Sequence, residues 1–193
     1  MKRSLGAKTL ALPTPVWIVA TYDSKGKENG MTVAWGGICC SKPPCVCVAV
    51  REATYTYAAI LERKAFTVNV PSAEQVKIAD YFGIASGRDT DKFATAGLTA
   101  TRAEHVDAPL IEEFALNLEC RLIHILEIGL HTLFVGEIID VKAHESILDD
   151  NDRLSLEKLN PPSFCTGSAT YYAVGPALGA AFSIGEQIKK REP

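Results

Sequence analysis

The chain has 193 residues, is 47% hydrophobic and 22% charged, and carries a net charge of -3. This fits one soluble globular domain over residues 1–193, and its acidic balance gives nucleic acid or an anionic membrane no electrostatic footing. No run is apolar for long enough to span a bilayer, and Lys8 and two prolines interrupt the apolar core a signal peptide would need, so a cytoplasmic location is expected.

The first strand is expected at Val16–Thr21, after Pro13-Thr14-Pro15, and a turn at Asp23–Lys27. Met31–Cys40 reads as one strand with Gly36 and Gly37 inside it, the mark of a bulge or of a close approach. Cys45–Val50 is apolar on both faces, as in a barrel, a sandwich or a subunit interface. A short helix is expected over Thr54–Lys64 and a strand over Phe66–Val70. Ser72 and Gln75 form a capping-box pattern for a helix ending near Gly83, and Ser86–Phe93 reads as a loop. Asn117–Ile128 alternates, and His131–Val141 follows Gly129 to complete a hairpin. A Gly-rich apolar tail covers Tyr171–Gly185. About six strands with short helices between them point to a mainly β fold, an antiparallel barrel with helical additions.

The six cysteines, Cys39, Cys40, Cys45, Cys47, Cys120 and Cys165, contain no Cys-x-x-Cys pair. Zinc and iron–sulfur sites are therefore not expected. Buried reduced thiols are the plain reading, and a redox role for Cys39-Cys40 is the alternative. His124 falls on the apolar face of its strand and reads as a core histidine, while His105 and His144 carry no signal. The dinucleotide-binding Gly-x-Gly-x-x-Gly, the Walker phosphate loop, the His-Glu-x-x-His helix and the hydrolase elbow are all missing from the sequence. Chemistry is thus expected from a bound organic cofactor. Arg51, Thr54 and Thr56 stand at the start of a helix, where unpaired backbone N–H groups, the helix dipole and a guanidinium all favour a phosphate. A surface arginine followed by an ordinary threonine cap is the competing reading.

Six motifs occur in order: Asn29-Gly30-Met31-Thr32-Val33-Ala34-Trp35, Ser41-Lys42-Pro43-Pro44, Arg51-x-x-Thr54-x-Thr56, Phe66-Thr67-Val68-Asn69, Ser86-Gly87-x-x-x-Asp91-Lys92-Phe93, and Gly129-x-His131-x-x-x-x-Gly136-Glu137. Together they resemble the flavin reductase-like, FMN-binding split-barrel family, and within it the flavoredoxin branch. The resemblance runs from about Pro13 into the C-terminal tail. It implies a six-stranded antiparallel Greek-key split barrel, a homodimer, and one non-covalently held FMN per subunit. Members either reduce flavin with NADH or NADPH or carry electrons between redox protein partners, and both readings stand here. A third, a split-barrel binder of another phosphorylated cofactor, is the minor alternative.

On this resemblance, Val50, Arg51, Thr54 and Thr56 serve the phosphate end, and Asn29, Thr32, Val33, Ala34 and Trp35 lie along the ring. Trp35 fits a core aromatic equally, and Asn29 a turn residue before Gly30. Asn69 either bonds flavin or caps a turn. Ser86, Gly87, Lys92 and Phe93 belong to a phosphate- or ring-proximal segment, in which Lys92 would favour phosphate or reduced anionic flavin. The competing role for Lys92 is an exposed lysine paired with Asp89 or Asp91. His131 is the candidate catalytic residue near flavin and nicotinamide, or else a structural hairpin histidine. Tyr171 and Tyr172 would cover the ring or pack on the partner subunit.

Overall fold

The computed structural model describes residues 1–189. Its largest element is an antiparallel sheet of seven strands. Chain order begins with a two-residue strand β1 (Thr14–Pro15), then β2 (Trp17–Tyr22), β3 (Glu28–Val33), β4 (Gly36–Ser41) and β5 (Pro44–Arg51). Helix α1 (Tyr55–Arg63), β6 (Ala65–Val70), α2 (Val76–Ile84) and α3 (Lys92–Ala96) follow. A small ladder of β7 (Ala100–Arg102) and β8 (Pro109–Ile111) leads to the long hairpin of β9 (Leu116–Glu127) and β10 (His131–Ala143). Helix α4 (Leu156–Leu159) precedes β11 (Pro162–Cys165) and β12 (Thr170–Ala173), and β11 pairs with β1 on one side and β12 on the other.

The strand order of the main sheet is β3-β2-β6-β9-β10-β5-β4. Two strands adjacent in sequence, β3 and β4, therefore stand at opposite edges, so the sheet must roll until those edges approach. It remains unclosed, which makes it a split barrel. The expected single strand over Met31–Cys40 is accordingly two strands, parted at Ala34-Trp35, and this gives the sheet its seventh member. At that crossing Ala49 N–H donates to the Trp35 carbonyl at 2.8 Å, tying the connection to β5.

The barrel interior is filled by Val19, Val46, Val48, Val50, Phe66, Val68, Cys120 and Phe134, all fully buried. A second core, with Ile18, Phe82, Phe93 and Phe114, lies where α2 packs on β3 and β2 and α3 packs on β3. The Ser72 capping box forms, with the Ser72 N–H donating to Gln75 Oε1 at 2.9 Å, and a single 3₁₀ turn precedes α2. The expected loop Ser86–Phe93 ends earlier: Asp91 Oδ1 accepts from Ala94 N–H at 3.0 Å, so Lys92 and Phe93 open α3 and are buried.

A register slip at Ile123 reverses the alternation of β9 beyond it, and β9 there runs past the end of its pairing with β6 while β10 stays paired with β5. His124 is consequently exposed, correcting its reading as a core histidine. The thiols also differ from expectation: Cys45 and Cys120 are buried, Cys47 and Cys165 half-buried, and Cys39 and Cys40 exposed, because β4 is an edge strand.

Gly136 lies where Phe66 crosses the barrel. A Cβ there would stand 2.5 Å from Phe66 Cζ and 3.0 Å from Cys120 Cβ, both fully buried. Gly136→Ala is expected to destabilise the fold by about 2 kcal/mol, the usual cost of overpacking a closed core. Urea unfolding checks it, and an unchanged midpoint would refute the packing argument.

Candidate functional site

Two clefts open side by side on the outside of the barrel and share Met31 and Thr54 in their walls. The first, of about 250 Å³, is formed by Met31–Trp35, by Ala49 and Arg51 of β5, by His131 at the start of β10 and by Phe164 of β11. Backbone pairing sets His131 directly opposite Arg51. The second cleft, of about 260 Å³, lies between the start of α1 and the segment from Phe82 to Lys92.

Each expected residue can now be placed. Thr32, Val33, Ala34, Trp35, Arg51 and His131 line the first cleft, and Thr56, Ser86, Gly87 and Lys92 the second, with Thr54 between them. Trp35 is half-buried and lines the cleft, whereas the indole that packs on the barrel core is that of Trp17. The Thr32 hydroxyl is turned to the Ala79 carbonyl of α2. The Thr54 hydroxyl donates to the Arg51 carbonyl at 2.8 Å, which tightens the turn that presents the arginine.

Asn29 lines neither cleft. It is buried, and its Nδ2 donates to Thr56 Oγ1 at 2.8 Å. With that lone pair filled, the Thr56 O–H remains free to donate towards a ligand. Asn29 is therefore a positioning residue. Gly87 passes so close above it that an added Cβ would lie 2.1 Å from Asn29 Oδ1.

Three expected residues lie elsewhere. Val50 points into the barrel core, and Phe93 stacks edge-on against Phe82 at 5.5 Å. Asn69 is fully buried, donates to the Ile18 carbonyl and Thr67 Oγ1, and accepts from Ile111 N–H and Asn117 Nδ2. Those four bonds exhaust its amide and leave nothing for a ligand.

Lys92 corrects the alternative of an exposed, paired lysine. Asp91 pairs with Lys27 at 2.9 Å instead, and Lys92 is only 4% exposed. Its Nζ donates to the Phe82 and Ala85 carbonyls at 3.3 and 3.2 Å, near the end of α2. An ammonium has three donors, so one is left for the cleft. Burial lowers its pKa to about 8.

Arg88, Tyr55 and Phe164 were not singled out from the sequence. The Arg88 guanidinium donates to the Ala53 carbonyl at 2.9 Å and lies 5.8 Å from the centre of the Tyr55 ring. Tyr55 Oη donates to Asp23 Oδ2 at 2.9 Å, which raises the tyrosine pKa. Arg88 sits inside the Ser86–Phe93 motif and Tyr55 between the two threonines, so a signal existed for both. Phe164 has none, since β11 reaches the cleft from a distant stretch of chain. Tyr171 stands behind Phe164, its ring centre 5.3 Å away and its Oη donating to Asp80 Oδ1 at 2.9 Å, while Tyr172 is exposed.

The clefts thus form one groove with two characters. One end gathers two cationic heads, Arg88 and Lys92, with free hydroxyl capacity at Thr56, and Arg51 stands across the shared Thr54 wall beside His131. The other is bordered by small aliphatic residues, an indole, a phenyl ring and an imidazole. Such a groove suits a planar ligand with an anionic tail.

Comparisons agree with this geometry. Residues 9–159 match the family described as flavin reductase like domain. Flavoredoxin of Desulfovibrio vulgaris (Miyazaki F) is 52% identical, with 96% of this chain and 100% of that one aligned at a TM-score of 0.92. Flavoredoxin from Methanosarcina acetivorans is 32% identical over 97% and 99% of the two chains, with a TM-score of 0.91. The NADPH-flavin oxidoreductase of Streptomyces viridifaciens is 29% identical over 158 residues, 79% of each chain.

Proposed function

The chain belongs to the flavin reductase-like family, and on that premise we propose that it is an FMN-dependent oxidoreductase of the flavoredoxin type. The observation that carries this is the groove itself: its cationic end and its apolar end meet across the shared wall of Met31 and Thr54. The donor set fits a phosphate monoester, because Arg88 and Lys92 supply positive charge and Thr56 a free O–H, with the Arg51 guanidinium just across the Thr54 wall. Small residues at Ala34 and Ala49 leave room for a flat ring against the strands. When bound, FMN supplies two-electron chemistry, accepting hydride from NADH or NADPH or electrons from a protein donor.

The chain's own contributions are binding and orientation. Asn29 fixes the Thr56 hydroxyl, Gly87 lets the loop close over both, and Arg88 is pinned on Tyr55. His131, half-buried opposite Arg51, places an imidazole at the ring end of the groove. Phe164 screens one side from water.

A titration with FMN, riboflavin and pyridoxal phosphate tests the reading through the visible spectrum. Tight FMN binding with much weaker riboflavin binding supports it; equal affinities would show that the cationic end does not read the phosphate. Anaerobic addition of NADH and then NADPH separates a reductase, whose flavin bleaches, from a carrier, whose flavin waits for a protein donor.

We further propose that a second copy of the chain covers the outer end of the β9–β10 hairpin. Ile125, Leu126, Ile128 and Leu130 are 43%, 56%, 66% and 67% exposed there, on both faces of the ribbon. An exposed apolar strand end and turn of this kind marks an interface. Leu126→Asp is expected to weaken self-association by about a hundredfold in sedimentation velocity. A wild-type chain that runs as a monomer at micromolar concentration would refute it.

A further inference from the structure

The β4–β5 hairpin gathers four thiols that the groove does not use. Cys40 and Cys45 are direct partners across the antiparallel pair, one step from the Ser41–Pro44 pair that closes the turn. Cys39 falls at a register shift and has no partner of its own, and its thiol interacts with that of Cys47. The thiols of Cys40 and Cys45 interact as well. Both also donate into the turn, Cys40 to the Lys42 carbonyl and Cys45 to the Pro43 carbonyl, each at 3.3 Å.

Their arrangement decides between two chemistries. A thiolate cage for a soft metal needs three or four sulfurs around one point, and among the described residues no three of these sulfurs come within 4.8 Å of one another. The thiols are paired instead. Directly opposed residues of an antiparallel ladder have Cα atoms about 4.5 to 5.5 Å apart, within the span a disulfide bridges. The pair is also unequal in access: Cys40 is exposed on the edge strand, whereas Cys45 is 2% exposed. An accessible thiol beside a sheltered one is the arrangement of an attacking and a resolving cysteine.

We propose that Cys40 and Cys45 form a thiol–disulfide exchange site that takes an external disulfide as its substrate. The Cys40 sulfur attacks one sulfur of the external disulfide, forms a mixed disulfide and expels the first thiol. Cys45 then attacks the Cys40 sulfur, forms the cross-strand bond and expels the second thiol. The external disulfide is reduced to two thiols, and the two cysteines are oxidised to one disulfide with their two protons passed to the products. Burial raises the Cys45 pKa, which keeps that thiol protonated and in reserve until the mixed disulfide forms beside it.

The site is distinct from the groove. Cys45, Cys47, Ala49 and Arg51 alternate along β5, and only the last two line the groove. At the strand rise, Cys45 and Ala49 are about 13 Å apart, too far for a group bound in the groove to be needed for exchange.

Peptide mapping after exposure to oxidised glutathione tests the proposal. Reduced protein is incubated, quenched with an alkylating agent, digested and analysed by mass spectrometry. The expected product is a Cys40–Cys45 linked peptide, with two reduced glutathiones released per chain. Cys45→Ser is expected to retain glutathione on Cys40, and Cys40→Ser to slow glutathione release by about tenfold or more. An unreacted Cys40, a lasting mixed disulfide in the wild type, or a bond between Cys39 and Cys47 would each overturn it. The wild-type map decides the matter even if a substitution disturbs the hairpin, and flavin-free protein is expected to give the same map.

Discussion

Lys92→Met is expected to lower FMN affinity by about one to two orders of magnitude, the worth of a charge-assisted contact in a partly desolvated site. Riboflavin affinity should hardly change, because the lost partner is the phosphate. The same substitution is expected to stabilise the ligand-free protein. Lys92 is held in the fold with its pKa at about 8 against an ordinary 10.5, a difference of about 3 kcal/mol between its charged and neutral forms. The sign follows from proton counting. Below pH 8 both folded and unfolded chains keep the proton, and the burial cost is felt in full. Between about 8 and 10.5 the unfolded chain still holds a proton that the native chain has shed, so wild-type stability rises with pH relative to Lys92→Met. FMN affinity moves the opposite way, falling above pH 8 as the ammonium is lost. Fluorescence titration with both flavins and paired thermal melts across that window check the two slopes. Equal FMN affinity in the variant and the wild type would remove Lys92 from the site.

Gly87→Ala is expected to cost about a hundredfold in FMN affinity, the scale on which a displacement of about 1 Å disrupts a positioned site. Its new Cβ would lie 2.1 Å from Asn29 Oδ1 and 2.8 Å from Tyr55 Cδ1. Asn29 is buried and bonded to Thr56, so it cannot swing into solvent, and Tyr55 is pinned by Asp23. The loop must therefore lift, taking Ser86 and Arg88 with it. A double-mutant cycle isolates the cause. On an Asn29→Ala background the clash with the amide is gone, and the penalty for Gly87→Ala should shrink. Additive penalties would mean that contact with Asn29 is not what the glycine serves.

The two halves of the groove differed in how readable they were. Arg51, Thr54 and Thr56 stand within one turn of chain, and the helix start that presents them is a local matter of sequence. The Ser72 capping box and the alternation of β9 are local in the same way. What the sequence hid is set by tertiary geometry. The break at Ala34-Trp35 lies inside an unbroken apolar run and exists because the sheet must roll to bring its edges together. His124 keeps the alternation of its strand, but the slip opposite Ile123 moves it off the core. Asn69 looks like any amide at a strand end, and only the converging Ile111 and Asn117 reveal that its capacity is spent. Lys92 could not be read as buried without knowing that α3 folds its first turn against the end of α2.

The unclosed seam between β3 and β4 has a consequence for the life of the chain before it meets its ligand. The groove draws its walls from β3, β5 and β10, so a bound molecule grips strands from both sides of the seam and acts as a clasp. At a hundredfold excess over its dissociation constant such a clasp adds about 2.7 kcal/mol. Chains that lack it keep two open strand edges, the feature proteases and neighbouring strands seize upon. Cofactor supply would then set the working lifetime of the protein as well as its activity, with empty copies cleared first.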